Sequence, residues 1–533
     1  MAPLPRILVA FIIGILLACC TPKVFGQQYA LIVSFASLLL TYLVLVFLDR
    51  RDRKAHHAFG IVALVFAMVL GFVRTGLSHH EMHRDYGKPP RTMVATVVDY
   101  AVEKEESYAT LIDCGKYGGR QLAYLWSSND RPMRLEPGDV IHLKSSKRKV
   151  VADEIREMEH KGNQERRFLG YQKHLYYSHI YATLYASKWW KDKKQDGQKR
   201  LTWGKLRKKV AQQYRSLHLP TEEEAILTAM TLGDRRALKQ RGMHISTRYS
   251  RAGVSHVLAL SGFHLTIIYA LLDILFLSSF YRRKYKWIPH LMVILCIWAY
   301  TLLAGTPPSL VRAALMCSLI CLAKGLYGGK QSGLDALVLS AFIMLVFDPF
   351  YIMNISFQLS YASMLAITVC SPSLSRMQTN INKTNLPRIA KKAISYILGI
   401  ILISAIATLA TAGIVAYHFS SISLVGLATN ICISILASVL MTAAVVWWGI
   451  RIIGAVTTLA QTPIVQTIEG WVGDCIKWLL KSMNQTVDYF ASFSQATLNW
   501  NASLIEAILY YMILATLAFW LYNHSAFPLK YPK

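Results

Sequence analysis

AISYILGIILISAIATLATAGIVAY, residues 393–417, contains no charged side chain. A run of about 20 apolar residues is long enough to cross the hydrocarbon core of a bilayer as an α-helix. Helices are the expected spanning form because lipid offers no partner to backbone N–H and C=O groups. We therefore predict that this stretch crosses a membrane, and this prediction decides the fold class.

Similar apolar runs recur along the 533-residue chain, which is 54% hydrophobic. The first run resembles a secretory signal peptide. It lacks a small-x-small cleavage site, however, and a second run follows almost at once, so we interpret it as a membrane helix. The sequence thus predicts a polytopic α-helical membrane protein. Its other predicted spans lie near 5–22, 28–48, 58–77, 254–280, 287–304, 309–327, 333–350, 356–371, 423–448 and 503–523.

Three short basic segments predict the orientation of the chain. DRRDRK at 49–54 separates the second and third spans, and the positive-inside rule places it in the cytoplasm. The N-terminus is then cytoplasmic, and residues 78–253 are extracytoplasmic. Counting spans from there puts YRRKYK at 281–286 and KTNLPRIAKK at 383–392 on the cytoplasmic side, which agrees with their charge.

The outer segment begins with a β domain, predicted over 78–200. RTMVATVVDYAVEK, SYATLIDC, RQLAYLWSS and DVIHLKSS are rich in β-branched and aromatic residues, and turn signals separate them. Four or five short strands in about 60 residues are typical of a small barrel of the OB type. The fold class is therefore a helical membrane protein with an extracytoplasmic OB-like β-barrel.

The chain is strongly basic, with a formal net charge of +28. Part of the excess lies in the polar outer segment, where a basic surface favours polyanions or anionic lipid, although a merely solvated basic surface is an equal alternative. Tyr124 and Trp126 share one strand face, and aromatic rings beside basic groups suit single-stranded nucleic acid. The alternative is that both rings belong to the barrel core. The basic groups predicted to join them in DNA binding are Lys147, Arg148 and Lys149.

The remaining segments divide into four predicted regions. Three N-terminal membrane helices occupy 1–77, and amphipathic helices on the outer membrane face occupy 201–253. The main helix bundle covers 254–450. An interfacial amphipathic helix and a final membrane helix complete the chain at 451–533.

HVLALSGFHL, residues 256–265, places polar groups at the start of the bundle, and we call it the entrance segment. If it is one helix, His256, Ser261 and His264 fall on one arc at two depths, as the lining of a water-filled path requires. Gly262 predicts an irregularity in that helix. The alternative is that the imidazoles hydrogen-bond neighbouring helices.

Two further polar residues stand out in the bundle. Arg312 lies in the first turn of a predicted span, where a cation opposes the helix dipole. It either snorkels to the outer headgroups or faces the path and meets an anion. Gln358 either lines the path or bonds across helices.

Several stretches together resemble the ComEC family of DNA-uptake channels of natural competence, over about residues 1–450. TLGDRRAL resembles the Gly-Asp-Arg/Lys motif of the family, and AGVSHVLALSGFHLTII resembles its Ser-His…Ser-Gly-Leu-His signature. AGTPPSLVRAALM, DPF and SFQLSYAS follow in the family order, and RRFLGYQKHLYYSHIYATLYAS resembles the end of the N-terminal domain of the family.

The resemblance implies a bacterial inner-membrane channel that passes a single DNA strand into the cytoplasm. Gly233, Asp234 and Arg235 would shape the outer mouth. The groups that would line or brace the path are Ser255, His256, Ser261, His264, Ser309 and Arg312. The implied partners are single-stranded DNA, the lipid bilayer, a periplasmic DNA-binding competence protein and a cytoplasmic translocation motor.

Two departures from the family pattern matter. Phe263 stands where the family usually has Leu. Many members also carry a metallo-β-lactamase-like domain, whereas this sequence has no His-x-His-x-Asp-His motif and ends soon after its last span. We therefore expect neither an enzyme nor a metal or cofactor site.

Two other functions compete with the channel. A membrane-embedded hydrolase or transferase would use Ser261 or His264 with Asp234, because a nucleophile needs a base within hydrogen-bond reach. No Gly-x-Ser-x-Gly elbow accompanies them. A small-anion transporter is the third possibility, but a small solute does not need a basic outer β domain.

Overall fold

The computed structural model divides the chain into two compact units. Unit 1 comprises Met1–Ser216, Asp234–Gly242 and Leu272–Asn354, and unit 2 comprises Leu217–Gly233, Met243–Leu271 and Ile355–Lys533. The structure describes residues 3–20, 55–84, 86, 90, 92–99, 101–103, 107–117, 119–126, 135, 137–161, 166–191, 203–235, 238, 244–278, 287–327, 333–382, 387–456, 462–493, 497–500 and 502–524.

The apolar helices of unit 1 pack closely where two glycines meet. Helices α1 (Pro3–Cys20) and α2 (Ala55–His83) run side by side, and a Cβ atom on Gly14 or Gly71 would collide with the backbone of the other helix at Met68 or Phe11. Small residues allow such close approach without help from the hydrophobic effect. The apolar helices of this unit are α1 (Pro3–Cys20), α2 (Ala55–His83), α9 (Trp287–Leu303), α10 (Pro308–Tyr327) and α11 (Gly333–Phe347).

Unit 1 also contains a closed β-barrel. Its strands are β1 (Thr92–Val97), β2 (Val102–Glu103), β3 (Ser107–Asp113), β4 (Arg120–Trp126), β5 (Val140–Val150) and β6 (Ala182–Lys191). The sheet order is β1-β5-β6-β4-β3, and pairing of β1 with β3 closes it. All pairs are antiparallel except β4 with β6. The prediction of a small OB-like barrel is therefore confirmed.

Alternation along the strands builds the barrel core. Met93, Ala95 and Val97 of β1 point inward with Ala123 and Leu125 of β4, and all five are almost fully buried. The four predicted strand stretches contain β1 to β4 and the first seven residues of β5, which continues to Val150. The sixth strand lies inside the predicted β domain but outside the four predicted strand stretches, because two helices, α3 (Val151–Lys161) and α4 (Arg166–Tyr177), separate it from them.

A ring cluster joins the barrel to the membrane helices of the same unit. Phe350 is fully buried and packs on His79 at the end of α2 and on Tyr176 of α4. It lies in the 3₁₀ turn Pro349–Met353, which Asp348 caps by accepting a bond from the Phe350 N–H. Asp348 also pairs with His179, at 3.1 Å. The DPF stretch thus acts as a buried anchor for the barrel.

Unit 2 contains the second group of helices and a small two-stranded sheet. Its elements are α6 (Thr221–Leu232), α7 (Ile245–Arg251), α8 (Gly262–Leu272, whose last residue belongs to unit 1), α12 (Ile355–Asn382), α13 (Arg388–Phe419), β7 (Ser421–Ser423), α14 (Gly426–Val456), α15 (Pro463–Ala491), β8 (Thr497–Asn499) and α16 (Leu504–His524).

Three described helical segments are long and apolar enough to cross a membrane: Val62–His83, Arg388–Phe419 and Gly426–Gly454. Shorter apolar helices lie at most of the other predicted spans. The predicted span 28–48 lies outside the described residues. The class of helical membrane protein with a small barrel is confirmed.

Two predicted regions differ from the structure. The predicted span 254–280 is not one helix: α7 ends at Arg251, a turn region follows, and α8 begins only at Gly262. The region 201–253 is also not a pair of surface helices. Helix α5 (Trp203–Gln213) has no buried residue, whereas the last eight residues of α6 are buried on every side. A helix buried all round cannot lie on a membrane surface.

Candidate nucleic-acid interface and entrance segment

Tyr124 and Trp126 lie on the outer face of the barrel. Their neighbours Ala123 and Leu125 are fully buried, so alternation turns both rings outward. Trp126 is 50% exposed, and Tyr124 stacks on Tyr185 of β6 with ring centroids 5.2 Å apart. The interpretation of these two rings as core residues is therefore wrong.

The predicted basic group on β5 separates into three different environments. Lys147 is exposed. Arg148 donates to the Tyr117 carbonyl at 2.6 Å and lies over the Tyr181 ring. Lys149 donates to Glu154 at 2.6 Å, and this hydrogen bond raises the pKa of its ammonium group. Lys147 is thus the most open of the three, Arg148 braces the barrel, and Lys149 is paired with Glu154 although its side chain remains 40% exposed.

A second aromatic and basic group lies on the outer face of β5 and β6, and we call it the stacking patch. His142 and Trp190 are cross-strand partners whose rings stack at 5.4 Å, nearly parallel. Lys144 and Lys188 form the next outward pair, and both are exposed. Trp190 itself is 48% exposed. Sequence reasoning missed this patch because β6 was not recognised, although KWWK was visible there.

The entrance segment forms a helix cap rather than a continuous polar arc. His256 lies in the turn region, and α8 begins at Gly262, so the helical arc predicted for His256, Ser261 and His264 is wrong. Ser261 precedes the helix, and its N–H donates to His264 Nδ1 at 3.1 Å. This is one of the two bonds of a capping box, the bond back to the first residue, with His at the position of Glu or Gln.

The cap determines the tautomer of the neutral His264 ring. Because Nδ1 accepts the Ser261 N–H, the neutral ring carries its proton on Nε2. That nitrogen is buried and has no hydrogen-bond partner among the described residues. The Ser261 hydroxyl lies 3.2 Å from the same Nδ1. The ring therefore presents a buried N–H donor beside the helix start.

His256 belongs to a different polar network in unit 2. Its side chain lies within hydrogen-bonding reach of the Asn430 side chain of α14. Asn430 donates to Ser404 of α13 at 2.6 Å and accepts from Ser434 at 3.2 Å. The alternative that an imidazole of this segment bonds to neighbouring helices is thus realised at His256.

The residues assigned to the mouth have distinct environments. Gly233 ends α6 in the left-handed conformation, with φ 69°, which favours glycine there. Asp234 is buried, Arg235 is exposed, and both belong to unit 1. Ser255 of unit 2 is exposed.

The structure also shows the surroundings of the other bundle residues. Ser309 is half-buried and Arg312 is buried, so Arg312 does not snorkel to headgroups. Both lie in unit 1, whereas the entrance segment lies in unit 2. Gln358 meets His418 of α13 at 3.2 Å, which realises the alternative that it bonds across helices.

No group of three or more His, Cys, Asp or Glu side chains within the described part of the chain is placed to hold a metal ion.

The barrel and the long apolar helices define the class: a helical membrane protein carrying an OB-like domain. The chain belongs to the Competence protein family, whose family model matches residues 230–524. The resemblance to the ComEC family drawn from its motifs is confirmed.

A curated relative supports the same family. The chain is 29% identical over 226 residues to ComE operon protein 3 of Bacillus subtilis (strain 168). The alignment covers 42% of this chain and 26% of the relative, so the chain spans about a quarter of the length of that relative. No solved structure matches the chain.

Proposed function

We propose that this protein is an inner-membrane channel that passes a single DNA strand into the cytoplasm during natural competence. The observation that carries the proposal is membership of the Competence protein family, matched over residues 230–524. The outer face of the barrel supports it, because aromatic rings and lysines occur together there and single-stranded nucleic acid uses both.

In this proposal the barrel gathers the strand before it enters the bundle. The stacking patch and Trp126 offer ring faces that accept any base, and Lys144, Lys188 and Lys147 attract phosphates. The resulting binding is independent of sequence and weakens as salt increases. A channel for arbitrary DNA needs binding that is independent of sequence.

The entrance segment then hands the strand to the bundle. In this proposal the buried His264 Nε2–H is a neutral donor that reaches a phosphate oxygen once the entrance segment opens, and it would not hold that oxygen as a fixed charge would. Passage requires binding that is weak enough to release. Ser255, Ser261, Ser309, Arg312 and the mouth residues remain proposed contributors to the same path.

The proposed orientation follows from the basic loops. The chain crosses the inner membrane several times with its N-terminus in the cytoplasm and residues 78–253 outside. A periplasmic DNA-binding protein would deliver the strand, and a cytoplasmic motor would pull it. The bilayer is the third partner.

We also propose that the chain is not itself an enzyme. The Ser261 hydroxyl is within reach of His264 Nδ1, as a hydrolase would require. That nitrogen already accepts the backbone N–H of Ser261, however, so its lone pair is not free to take the hydroxyl proton. A small-anion transporter is disfavoured because such a solute would leave the stacking patch without a role.

A clean deletion with DNA tracked in separate compartments tests the proposal. Fluorescent DNA is supplied to deleted and complemented cells, and transformants, periplasmic DNA and cytoplasmic DNA are counted. We expect loss of transformants with DNA retained in the periplasm, and rescue by the wild-type gene. Normal delivery of DNA to the cytoplasm of deleted cells would overturn the channel.

A further inference from the structure

Helices α14 and α15 form an antiparallel pair with matched ends. Arg451 near the end of α14 bonds Glu469 near the start of α15, at 2.7 Å. At the opposite end, β7 precedes α14 and pairs with β8, which follows α15, with Ile422 opposite Leu498. The two helices therefore cover the same distance along one shared direction.

Because the ends of α14 and α15 are paired, α15 must also cross the membrane if α14 crosses it. The segment Gly426–Gly454 is one of the three described segments long and apolar enough to do so. Helix α15 has 29 residues. At about 1.5 Å per residue it measures about 43 Å, more than the hydrocarbon core of a bilayer requires. A helix tied at both ends to a spanning helix cannot lie flat in the interface.

We propose that α15 crosses the membrane beside α14 and presents its polar side to the water-filled path of the DNA strand. The second part of this inference rests on the proposed channel function. A crossing α15 replaces the sequence-based expectation of an interfacial helix. The wall of the path would then include a helix whose sequence is too polar to be recognised as a span.

Three stripes divide the surface of α15 when residues are placed about 100° apart. The first stripe is buried against unit 2 and includes Ile476, Leu480, Met483 and Val487. The second is exposed and apolar. Its members are Ile464, Ile468, Trp471, Cys475 and Trp478, of which Trp471 is 72% exposed and Trp478 63% exposed.

The third stripe is polar and runs the length of the helix. Its members are Gln466, Thr467, Asp474, Lys477, Lys481, Gln485 and Asp488. A charged side chain at the centre of a bilayer costs about 2.5–3.5 kcal/mol even on the more permissive scales. The exposed apolar stripe therefore faces lipid, and the polar stripe faces water.

The polar stripe carries two lysines that can meet phosphates, and its two aspartates balance their charge. Lys477 and Lys481 are one turn apart, about 6 Å along the axis, so they can meet successive phosphates. Lys477 pairs with Asp474 at 3.0 Å, and Asp488 pairs with Arg248, which also bonds Glu222. Cations that already have acidic partners attract phosphates without trapping them.

If α15 crosses the membrane, the final helix α16 ends in the cytoplasm. Tyr510 and Tyr511 of α16 donate to the carbonyls of Leu409 and Ala410 of α13, at 2.8 and 2.9 Å. Helix α16 therefore returns beside α13 from the end at which β7 and β8 pair. Residue 524 then lies on the side where α13 begins, which the basic loop at 383–392 places in the cytoplasm.

Cysteine labelling in whole cells tests the first part. In the full chain with its nine native cysteines replaced, single cysteines are introduced as K477C, K481C and Q485C. The matched lipid-facing controls are W471C and W478C. We expect the first three to react with a membrane-impermeant maleimide and the controls to stay unlabelled. Equal labelling of both sets, or none in either, would overturn the crossing.

Reporter fusions give a second measurement if the cysteine-free chain fails to accumulate. Alkaline phosphatase or a cytoplasmic reporter is joined after residue 524 of the wild-type chain. We expect only the cytoplasmic reporter to be active. Periplasmic phosphatase activity would mean that α15 does not cross, and this inference would fail while the channel proposal stood.

Transformation of the labelled cells tests the occupant of the path. Labelling at position 481 is expected to abolish DNA internalisation, and the same treatment of W471C cells is expected to leave it unchanged. Full internalisation after complete labelling at position 481 would overturn the assignment of DNA to this wall. The deletion experiment tests the channel itself separately, because it does not depend on α15.

Discussion

His264 performs two tasks with the two nitrogens of one ring. Nδ1 accepts the Ser261 N–H and caps α8, whereas Nε2 carries a buried proton without a described acceptor. The first task is structural, and we propose that the second is functional. Separating them requires substitutions that keep one nitrogen's role and remove the other.

We predict that His264→Gln keeps the cap and loses DNA uptake. The Gln carbonyl can accept the Ser261 N–H as in an ordinary capping box, but it does not place a donor at the Nε2 position. Protein amount and thermal stability are measured beside transformation. His264→Ala is the comparison, and loss of its cap should cost about 1 kcal/mol. Normal transformation by His264→Gln would show that His264 only braces the helix.

Among the described glycines of unit 2, Gly253 lies closest to another backbone segment. It has φ +77°, and a Cβ there would lie 2.6 Å from Gly426 Cα and 2.7 Å from Ser423 Oγ. We predict that Gly253→Ala destabilises the protein by about 1–3 kcal/mol, because an alanine strains the left-handed backbone and its methyl group pushes Gly426 away.

Thermal unfolding of the purified protein in detergent measures this effect. The matched control is Gly449→Ala in α14, where a Cβ has no neighbour within 4 Å. A helical Ala there should leave the Tm unchanged or raise it. Equal Tm values for the two variants would contradict the role given to Gly253.

At the scale of elements, the stacking patch depends on two strands that meet only in the folded barrel. We predict that Trp190→Ala weakens binding of single-stranded DNA by about 1–3 kcal/mol, the usual value of one stacked base. Lys144→Ala with Lys188→Ala should also reduce the salt dependence, by about 0.7 in slope for each phosphate that a lysine no longer neutralises.

Fluorescence anisotropy with labelled oligonucleotides and the full detergent-purified chain measures both effects. Trp203→Ala is the control, because Trp203 on α5 is also 48% exposed but lies outside the barrel. If Trp190→Ala and Trp203→Ala bind DNA equally well, the patch is not the interface.

The same elements show how far the sequence predicts the fold. Strict alternation in TMVATV and RQLAYLW predicts β1 and β4, because one side of each strand is buried. Strand β6 was missed because its first residues are buried on both sides and Ser187 sits at a register shift between β5 and β6, so its alternation is broken. Such a strand is specified by its partners more than by its own pattern.

The entrance segment shows a case in which the apolar pattern of the sequence predicts a helix that is too long. Its apolar periodicity continues through Ser261 and Gly262, so a single helix was predicted. The chain instead starts a new helix there, because Ser261 and His264 supply a cap and Gly262 follows without a side chain. Ser261 and His264 are the residues that cap the helix, but the apolar run around them predicts one continuous helix.

For the whole molecule, the net charge of +28 and the long apolar helices suit a basic membrane protein that handles a polyanion. Motif order predicted the Competence protein family, and the family match over 230–524 confirmed it. Topology was less predictable. Charge counting treats each loop separately, whereas the pairing of β7 with β8 relates the ends of four helices at once.

Photocrosslinking in unmodified cells tests whether the entering strand touches this chain. Cells take up single strands substituted with 5-iodouracil and blocked at one end by a bulky hairpin, so that the strand stalls during passage. After irradiation, crosslinked peptides are identified by mass spectrometry. We predict crosslinks at Trp190 on the barrel and at Phe263 beside His264. Stalled DNA without a crosslink to any peptide of this chain would contradict it.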